Sequence, residues 1–362
     1  MESIIRDAKD GYPPVMEQGL PEIQGVGNED LERILNSLRT QICVIGCGGA
    51  GTNTIVRLSE AGIKSVSLYA LNTDAQHLLY SRAPKKMLIG RRTTKGLGAG
   101  AMPNVGEASA LEAEEEIRNV VKGADLVFVT CGMGGGTGTG SAPVVARIAR
   151  EMGALTIAIV TLPFSVEGIM RMENGIRGLD KLKREADTVI VIPNDKLLHV
   201  APRLSLNEAF RVADEILVRA IKGISEMITL PGLINLDFAD LKTIMKDGGV
   251  AMIGLGEAES NDSKKAVTDA INSPLLEIDI TSATGALVNV VGGETLTLQE
   301  AQEAVSHIHA KTSNARIIWG VSTMPEMKST VRVMLVITGV KSPQIYGRER
   351  KVSKNIGIDV VE

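Results

Sequence analysis

Aromatic side chains are scarce in this chain and make up 2% of its 362 residues. Stacking of bases on aromatic platforms is therefore a poor basis for nucleic-acid binding here. The chain also has no excess of positive charge, since its formal net charge is −4. Both features argue against a protein that coats a duplex, and we expect no nucleic-acid partner.

Cysteine is equally rare, and its three residues, Cys43, Cys47 and Cys131, fall at predicted strands or strand ends. A small, odd number is typical of reduced thiols in a cytoplasm. Cys43 and Cys47 have no second pair with which to hold a metal, so we expect them to be buried. The apolar run 153–164 is too short to cross a bilayer, and the N-terminus has no signal-peptide pattern. We therefore expect a cytoplasmic protein without direct membrane insertion.

Glycine, by contrast, is abundant, with 38 residues, and it is densest just before residue 141. A predicted strand, 126–130, leads into a glycine-rich loop, and a helix is predicted to start at Ser141. Such a loop presents backbone N–H groups, with the Thr137 and Thr139 hydroxyls, at the positive end of a helix dipole. This arrangement favours a phosphate site. The alternative is a flexible linker, but a linker need not lie between a buried strand and a helix.

Two further glycine-rich loops precede this one. Gly46, Gly48 and Gly51 follow a predicted strand with the G-x-G-x-x-G spacing of a dinucleotide site, and a third loop spans 95–103. Strands and helices alternate through this half, which predicts an α/β fold with a parallel sheet and helices on both faces. Ligands of such sheets bind beyond the carboxyl ends of the strands. The loops therefore predict one nucleotide pocket.

A nicotinamide oxidoreductase is one alternative, because Asp74 follows the second strand and an acidic residue there can hold a ribose hydroxyl. The further glycine-rich loops argue against it, since a single Rossmann pocket has little use for them. No obvious proton donor accompanies the site.

The second half of the chain begins with a predicted long helix, 206–229, whose apolar residues keep the spacing of a buried stripe. We predict a smaller α+β unit after it, in which strands 316–319 and 331–337 pair antiparallel. The predicted divisions are an N-terminal arm with a short helix (1–38), a nucleotide-binding domain (39–204), a central helix (205–230), a C-terminal activation domain (231–340) and a tail (341–362). The tail is either disordered or a peptide that docks on a partner.

The chain carries neither a P-loop nor the protein-kinase signature set. The stretch Gly134–Ser141, with sequence GGGTGTGS, resembles the glycine-rich signature of the tubulin/FtsZ superfamily in its FtsZ form. Further matches occur in the order typical of that family: GCGGAGTN (46–53), NTDAQ (72–76), GLGAG (96–100), TLPF (161–164), PNDKL (193–197) and NLDFAD (235–240). The resemblance covers about residues 40–340. The cysteine in the first loop and the VADE run of the long helix look like those of archaeal members.

This resemblance implies a tubulin/FtsZ fold: a Rossmann-like parallel-sheet GTP-binding domain, a long central helix and a smaller α+β domain. It implies a GTPase that binds GTP and GDP, with Mg²⁺ held through phosphates and water rather than by side chains. The implied phosphate-binding residues are Gly48, Gly49, Ala50, Gly51, Thr52, Asn53, Gly134, Gly135, Gly136, Thr137 and Gly138. Those implied near the γ-phosphate and Mg²⁺ are Asn72, Asp74, Gly98, Ala99 and Gly100.

The family also implies residues for the ribose and the base. Glu167 and Arg171 would contact ribose and phosphate; alternatively, they are an i,i+4 surface ion pair. Asn194 and Asp214 would read the base, with Phe210 packed against it. A carboxylate suits guanine, because guanine N1–H and N2–H₂ both donate. The alternative for Asp214 is a solvated helix residue.

Asp237 and Asp240 follow the long helix, and they are either carboxylates favoured by a helix N-terminus or, as the family implies, catalytic residues. In a filament they would enter the nucleotide pocket of the next subunit and position the attacking water. The expected protein is thus a GTPase that polymerises head to tail into a division ring at mid-cell. Its tail would bind membrane-tethering or ring proteins, although it does not match the bacterial tether peptide. A filament that binds GTP without hydrolysis is the remaining alternative.

Overall fold

The computed structural model describes residues 40–63, 65–200, 205–230, 232–234, 236–259, 262–276, 280, 283–312, 315–324 and 327–340. The predicted arm with its short helix (1–38) and the predicted tail (341–362) lie outside the described residues. The division of the remainder into domains stays a prediction.

A single ten-stranded sheet runs through the described residues. Its strands are β1 (Ile42–Cys47), β2 (Val66–Asn72), β3 (Lys85–Leu88), β4 (Leu126–Gly132), β5 (Leu155–Leu162), β6 (Thr188–Pro193), β7 (Gly249–Ala258), β8 (Gly285–Gly292), β9 (Arg316–Thr323) and β10 (Val331–Thr338). The strand order is β3-β2-β1-β4-β5-β6-β7-β10-β8-β9. All pairs from β3 to β7 are parallel, which confirms the predicted parallel sheet.

Helices connect these strands and cover both faces of the sheet. They are α1 (Gly48–Glu60), α2 (Ala75–Tyr80), α3 (Pro103–Glu112), α4 (Glu114–Val121), α5 (Thr137–Glu151), α6 (Ile169–Glu185), α7 (Asn194–Val200), α8 (Leu206–Thr229), α9 (Phe238–Met245), α10 (Ser263–Ile271) and α11 (Leu298–Lys311). Successive residues of β1 enter different cores: Val44 packs with Leu58 of α1, whereas Ile45 packs with Ile148 of α5. This is the two-residue period expected of a strand buried on both faces.

The long helix α8 has the predicted bounds. Its N-terminus carries a capping box, in which Ser205 and Glu208 satisfy each other's backbone N–H groups. Most of the predicted stripe is buried, including Ala213, Leu217 and Ile224. At 1.5 Å per residue, its 24 residues span about 36 Å. The helix therefore connects distant parts of the molecule with one rigid element.

The predicted antiparallel pairing of 316–319 with 331–337 is wrong. β9 pairs with β8 in parallel, across the crossover helix α11, while β10 lies antiparallel between β7 and β8. Burial gives the physical reason, because β10 is buried along nearly its whole length and β9 is partly exposed. A mostly apolar strand gains more from a central position, so the shorter connection does not decide the pairing.

Among the described residues, none of the helices combines the length and the apolar character needed to span a membrane.

We expect Leu58→Ala to destabilise the fold, because the Leu58 side chain is fully buried between α1 and the sheet. The lost burial and the resulting cavity should lower the free energy of unfolding by about 2–5 kcal/mol. Urea unfolding followed by circular dichroism measures this. Leu111→Ala is the control, since Leu111 on α3 is 47% exposed and its truncation should cost less than about 1 kcal/mol. Equal losses in the two variants would contradict the assignment of this core.

Candidate functional site

The glycine-rich stretch after β4 passes into α5 earlier than the sequence predicts. The helix begins at Thr137, so the predicted start at Ser141 is wrong. Glycine is required within this helical turn because α3 passes close by. A Cβ on Gly140 would lie 2.0 Å from the carbonyl oxygen of Pro103. The N–H groups of Thr137 and Gly138 belong to the first helical turn, where no intrahelical acceptor is available to them. The site therefore has helix N–H donors where a loop was expected.

The glycine-rich loop after β1 and the glycine-rich stretch after β4 touch through their backbones. Gly48 has a φ of +72°, and a Cβ at this position would lie 2.7 Å from the amide nitrogen of Gly138. In return, a Cβ on Gly138 would lie 3.0 Å from the carbonyl oxygen of Cys47. Only residues without side chains allow this approach. It places the N-termini of α1 and α5 side by side, where both helix dipoles favour an anion.

Three of the predicted phosphate-binding residues serve the loops themselves. A Cβ on Gly51 would lie 2.6 Å from the carbonyl oxygen of Thr130, so Gly51 lets α1 pack on the sheet. The buried hydroxyl of Thr52 donates to the carbonyl oxygen of Gly48 at 2.8 Å. The N–H of Gly134 donates to the Thr139 hydroxyl at 2.9 Å. These contacts shape the site rather than line it.

The turn after β2 is held by its own polar side chains. The Asn72 Oδ1 accepts from the N–H of Thr73 at 2.9 Å, and the Asp74 carboxylate caps α2 by accepting from the N–H of His77 at 2.9 Å. The hydroxyls of Thr73 and Thr137 lie 2.7 Å apart. The turn is thereby joined to the first residue of α5.

The third loop lies against this turn. The N–H of Gly98 donates to the carbonyl oxygen of Thr73 at 3.2 Å. Ala99 is buried, and its Cβ lies 2.9 Å from where a Cβ on Gly136 would stand. Gly98 and Gly100 both have positive φ, which glycine adopts without strain. All three predicted loops therefore meet at the carboxyl edge of the sheet.

Two of these loops, the one after β1 and the one after β4, border a cavity of about 290 Å³. The predicted site residues that line it are Gly49, Ala50, Gly135, Gly136, Thr137, Gly138, Glu167, Arg171, Asn194, Phe210 and Asp214. A second cavity, of about 550 Å³, shares Asp214 with the first and is lined by Asn53. The predicted residues that line neither cavity are Gly48, Gly51, Thr52, Asn72, Asp74, Gly98, Ala99, Gly100, Gly134, Asp237 and Asp240.

Glu167 and Arg171 form the i,i+4 ion pair that the sequence offers as an alternative, with 2.5 Å between Oε2 and Nη1. The other carboxylate oxygen of Glu167 accepts from the N–H of Phe164 at 2.9 Å. Both residues nevertheless line the cavity of about 290 Å³, and the Arg171 side chain is half exposed. The ion pair and a role towards a ligand are therefore compatible.

Asn194, Phe210 and Asp214 come together at the far side of the cavity. Asn194 is buried, and its Oδ1 has no hydrogen-bond partner among the described residues. The Phe210 ring meets the Phe164 ring edge to face, with 5.2 Å between centroids, and remains 37% exposed to the cavity side. An unpaired buried acceptor is costly unless a donor reaches it, so this wall fits a ligand edge that donates.

The Asp214 side chain is mostly buried rather than solvated, with 16% of its surface exposed. Burial raises the pKa of this carboxyl to about 6, and Arg57 opposes the shift. The Arg57 Nε lies 3.2 Å from Asp214 Oδ2. Asp214 presents a carboxylate acceptor to the cavity, which matches the N1–H and N2–H₂ donors of guanine, and Asn194 lines the same wall.

Asp237 and Asp240 lie apart from this cavity, beyond the C-terminal end of α8. The Asp237 carboxylate caps α9 by accepting from the N–H of Ala239 at 3.1 Å. Asp240 is half exposed, and its Oδ1 lies 3.7 Å from Arg316 Nη2. Within one subunit these carboxylates thus have the ordinary place of acidic groups at a helix N-terminus.

Several lining residues escape the sequence prediction. They are Cys47, Gly132, Met133, Thr161, Pro163 and Ala213. Most follow the carboxyl ends of β1, β4 and β5, so the rule for parallel sheets was the signal that would have found them. Arg57 carried no such signal, because its contact with α8 depends on how two distant helices pack.

Two family models match the chain. The Tubulin/FtsZ family, GTPase domain, matches residues 41–202, and the FtsZ family, C-terminal domain, matches residues 249–341. The first match contains the three glycine-rich loops, and the second begins at β7.

Individual proteins are also similar over most of their length. The chain is 56% identical to cell division protein FtsZ 1 of Archaeoglobus fulgidus, over 100% of this chain and 99% of the relative. It is 55% identical to cell division protein FtsZ of Methanothermobacter thermautotrophicus, over 90% of this chain and 86% of the relative. The solved structure of an empty FtsZ dimer from M. jannaschii has a TM-score of 0.82 and 53% identity, over 86% of this chain and 91% of that one.

We expect Gly48→Ala to weaken nucleotide binding by at least about tenfold, because the added methyl would push the N-terminus of α5 away from that of α1. Isothermal titration with GDP measures the change. Gly62→Ala is the matched control: Gly62 also has a positive φ, but a Cβ there meets nothing within 4 Å. It should carry the same backbone strain and keep the affinity. Equal loss in both variants would show that strain, and not the loop contact, is responsible.

Proposed function

Because this chain belongs to the tubulin/FtsZ family, we propose that it completes its GTPase centre only where one subunit meets the next. The chain is a GTP-dependent, filament-forming cell division protein and a GTPase. The observation that carries the proposal is a separation: the glycine-rich cavity lies at one end of α8, and Asp237 and Asp240 follow its other end.

The phosphates of GTP bind at the paired N-termini of α1 and α5. Backbone N–H groups of Gly49, Ala50, Thr137 and Gly138 line this part of the cavity and donate to phosphate oxygens. Mg²⁺ neutralises phosphate charge when bound. As the family resemblance implies, it would be held through phosphate oxygens and water rather than by side chains.

The base binds between α7 and α8. Asp214 accepts from guanine N1–H and N2–H₂, Asn194 accepts or donates along the same edge, and Phe210 packs against the ring. The unpaired Oδ1 of Asn194 and the buried carboxylate of Asp214 support this assignment. Adenine presents an acceptor at N1, so the same wall disfavours it. Glu167 and Arg171 contact ribose and phosphate from the opposite side.

Assembly is head to tail. Such a contact joins different surfaces of identical subunits and does not close, so it produces a filament. Apolar side chains that are largely exposed flank the cavity, which supports burial of this face by another subunit. They are Leu79, Tyr80, Val166, Ile169 and Met170.

Hydrolysis then needs both subunits. Asp240 of the incoming subunit accepts a hydrogen bond from the attacking water and orients it in line with the γ-phosphate, while Asp237 keeps α9 capped beside it. The water oxygen forms a bond to the γ-phosphorus as the bond between that phosphorus and the β,γ-bridging oxygen breaks; GDP and phosphate leave, and the water protons go with the phosphate or to solvent. The glycine-loop N–H groups stabilise the charge on the phosphate oxygens throughout.

We further assign the filament to a cytoplasmic ring at the division site, with membrane-tethering or other ring proteins bound through the tail 341–362. The names of the relatives support a place in division. The nicotinamide alternative is set aside, since the matching family model is a GTPase domain.

Purified protein should hydrolyse GTP at a specific rate that rises with protein concentration and then levels off, because each centre needs two subunits. Light scattering should rise over the same range with GTP and remain low with ATP. Phosphate release and scattering are measured on one dilution series. A specific rate that stays constant down to dilute monomer would contradict the shared centre, and scattering without phosphate release would identify a filament that does not hydrolyse.

Asp240→Ala should keep GTP affinity and lose turnover by at least about a hundredfold, because the cavity is intact and the water is no longer oriented. Mixing it with Gly48→Ala, at a GTP concentration that fills the Asp240→Ala site and leaves the weakened Gly48→Ala site mostly empty, should restore turnover, since each partner supplies what the other lacks. Asp269→Ala, an exposed carboxylate on α10, is the control for loss of charge. Failure of the mixture, with both variants folded and able to assemble, would oppose a centre built from two subunits.

A further inference from the structure

The ion pair between Arg57 and Asp214 joins α1 to α8 at the wall between the two cavities. The guanidinium comes from the last turn of α1, and its position follows from helix packing rather than from a loop. A second contact fixes the same two helices further along, where Lys222 Nζ donates to the carbonyl oxygen of Ala61 at 3.0 Å. Arg57 is therefore held in place independently of any ligand.

We propose that Arg57 is a positioning residue for base recognition, which keeps the Asp214 carboxylate charged and turned towards guanine. This inference rests on the proposed role of Asp214 as the base reader. It adds the residue that keeps a mostly buried carboxylate ionised. It also assigns to Arg57 a share of the specificity for guanine over adenine.

The electrostatic reason is a balance of two opposing effects on one group. Burial raises the pKa of Asp214 to about 6, and the adjacent guanidinium limits that rise. An opposite charge at this distance typically lowers a carboxyl pKa by about 1–3 units, so loss of Arg57 would move the Asp214 pKa close to neutrality. A protonated carboxyl presents an O–H donor, which opposes the donors of guanine.

The geometry leaves the carboxylate free for the ligand. The contact runs from Arg57 Nε to Oδ2, while an ionised carboxylate offers about four lone-pair positions. Oδ1 and the remaining lone pair of Oδ2 are sufficient for guanine N1–H and N2–H₂. Because Asp214 stands one helical turn from Phe210, the oriented carboxylate and the ring face the same ligand.

Other charged groups surround Asp214, and they provide the controls. In the second cavity they are Glu60 on α1, His77 on α2, Arg82 after α2 and Arg211 on α8, and in the first cavity they are Glu167 and Arg171. Arg211 is exposed on the cavity wall, and its charge acts on Glu208. Arg211 therefore carries the same charge as Arg57 and lines the same cavity, but it does not form an ion pair with Asp214.

The test is the pH profile of GDP affinity for Arg57→Gln, measured by isothermal titration between pH 5.5 and 8.5 and divided by the parent value at each pH. This ratio removes the titration of the nucleotide phosphates. If the Asp214 pKa rises by about one unit, the variant should bind about fivefold more weakly than the parent at pH 6 and within about twofold at pH 8. Arg57→Met keeps the aliphatic stem and should behave in the same way.

Three comparisons decide the outcome. Arg211→Gln should follow the parent profile, and Arg57→Lys should recover most of it because it restores the charge. Asp214→Asn should bind weakly, without the dependence on pH that Asp214 causes. A loss that is equal at every pH in both neutral Arg57 variants would give Arg57 a structural role and overturn the inference. If Asp214→Asn instead binds GDP as the parent does, the proposed base reader itself is wrong.

Discussion

The contact between the backbones of Gly48 and Gly138 is the constraint on which the site depends. It brings the N-termini of α1 and α5 together at the carboxyl edge of the sheet, and a single added methyl would part them. Neighbouring contacts support it. The Thr73 hydroxyl lies within hydrogen-bond distance of the Thr137 hydroxyl, and the Ala99 methyl occupies the space that a side chain at Gly136 would need. Two helix dipoles then point at one small volume, which is the electrostatic basis for holding phosphates without a P-loop lysine.

Much of the fold follows from local signals in the sequence. The alternation of apolar strands with amphipathic helices predicted the parallel sheet, and the apolar spacing of 206–229 predicted α8 to the residue. The candidate site was equally accessible where motifs follow strands, because the carboxyl ends of parallel strands must share one edge. Gly136 and Asn194 follow strands and were found in this way, whereas Asp214 on α8 was expected only from the family resemblance; the structure brings all three to the same cavity.

What the sequence could not predict depends on contacts between distant elements. β9 and β10 are neighbours in the chain but not in the sheet, since burial of β10 outweighs the short connection. Gly138 and Gly140 looked like loop, yet they lie in the first turn of α5, where close approach of β1 and α3 leaves no room for a side chain. Arg57 gave no motif at all. Its significance comes from the burial of the Asp214 side chain, a property of the packed molecule rather than of any segment.

The junction between β6 and β7 has a mechanical consequence. The two family matches fall on either side of it, yet the sheet crosses it without interruption. Its register comprises only Thr188–Gly249, Val189–Val250 and Ile190–Ala251, whereas β10 is paired with β7 along the whole length of β10. If a subunit is pulled at both ends, β6 and β7 would therefore separate first, while the long helix α8 stays rigid. A load on a filament would therefore act inside each subunit at the β6–β7 pairing, between the parts matched by the two family models.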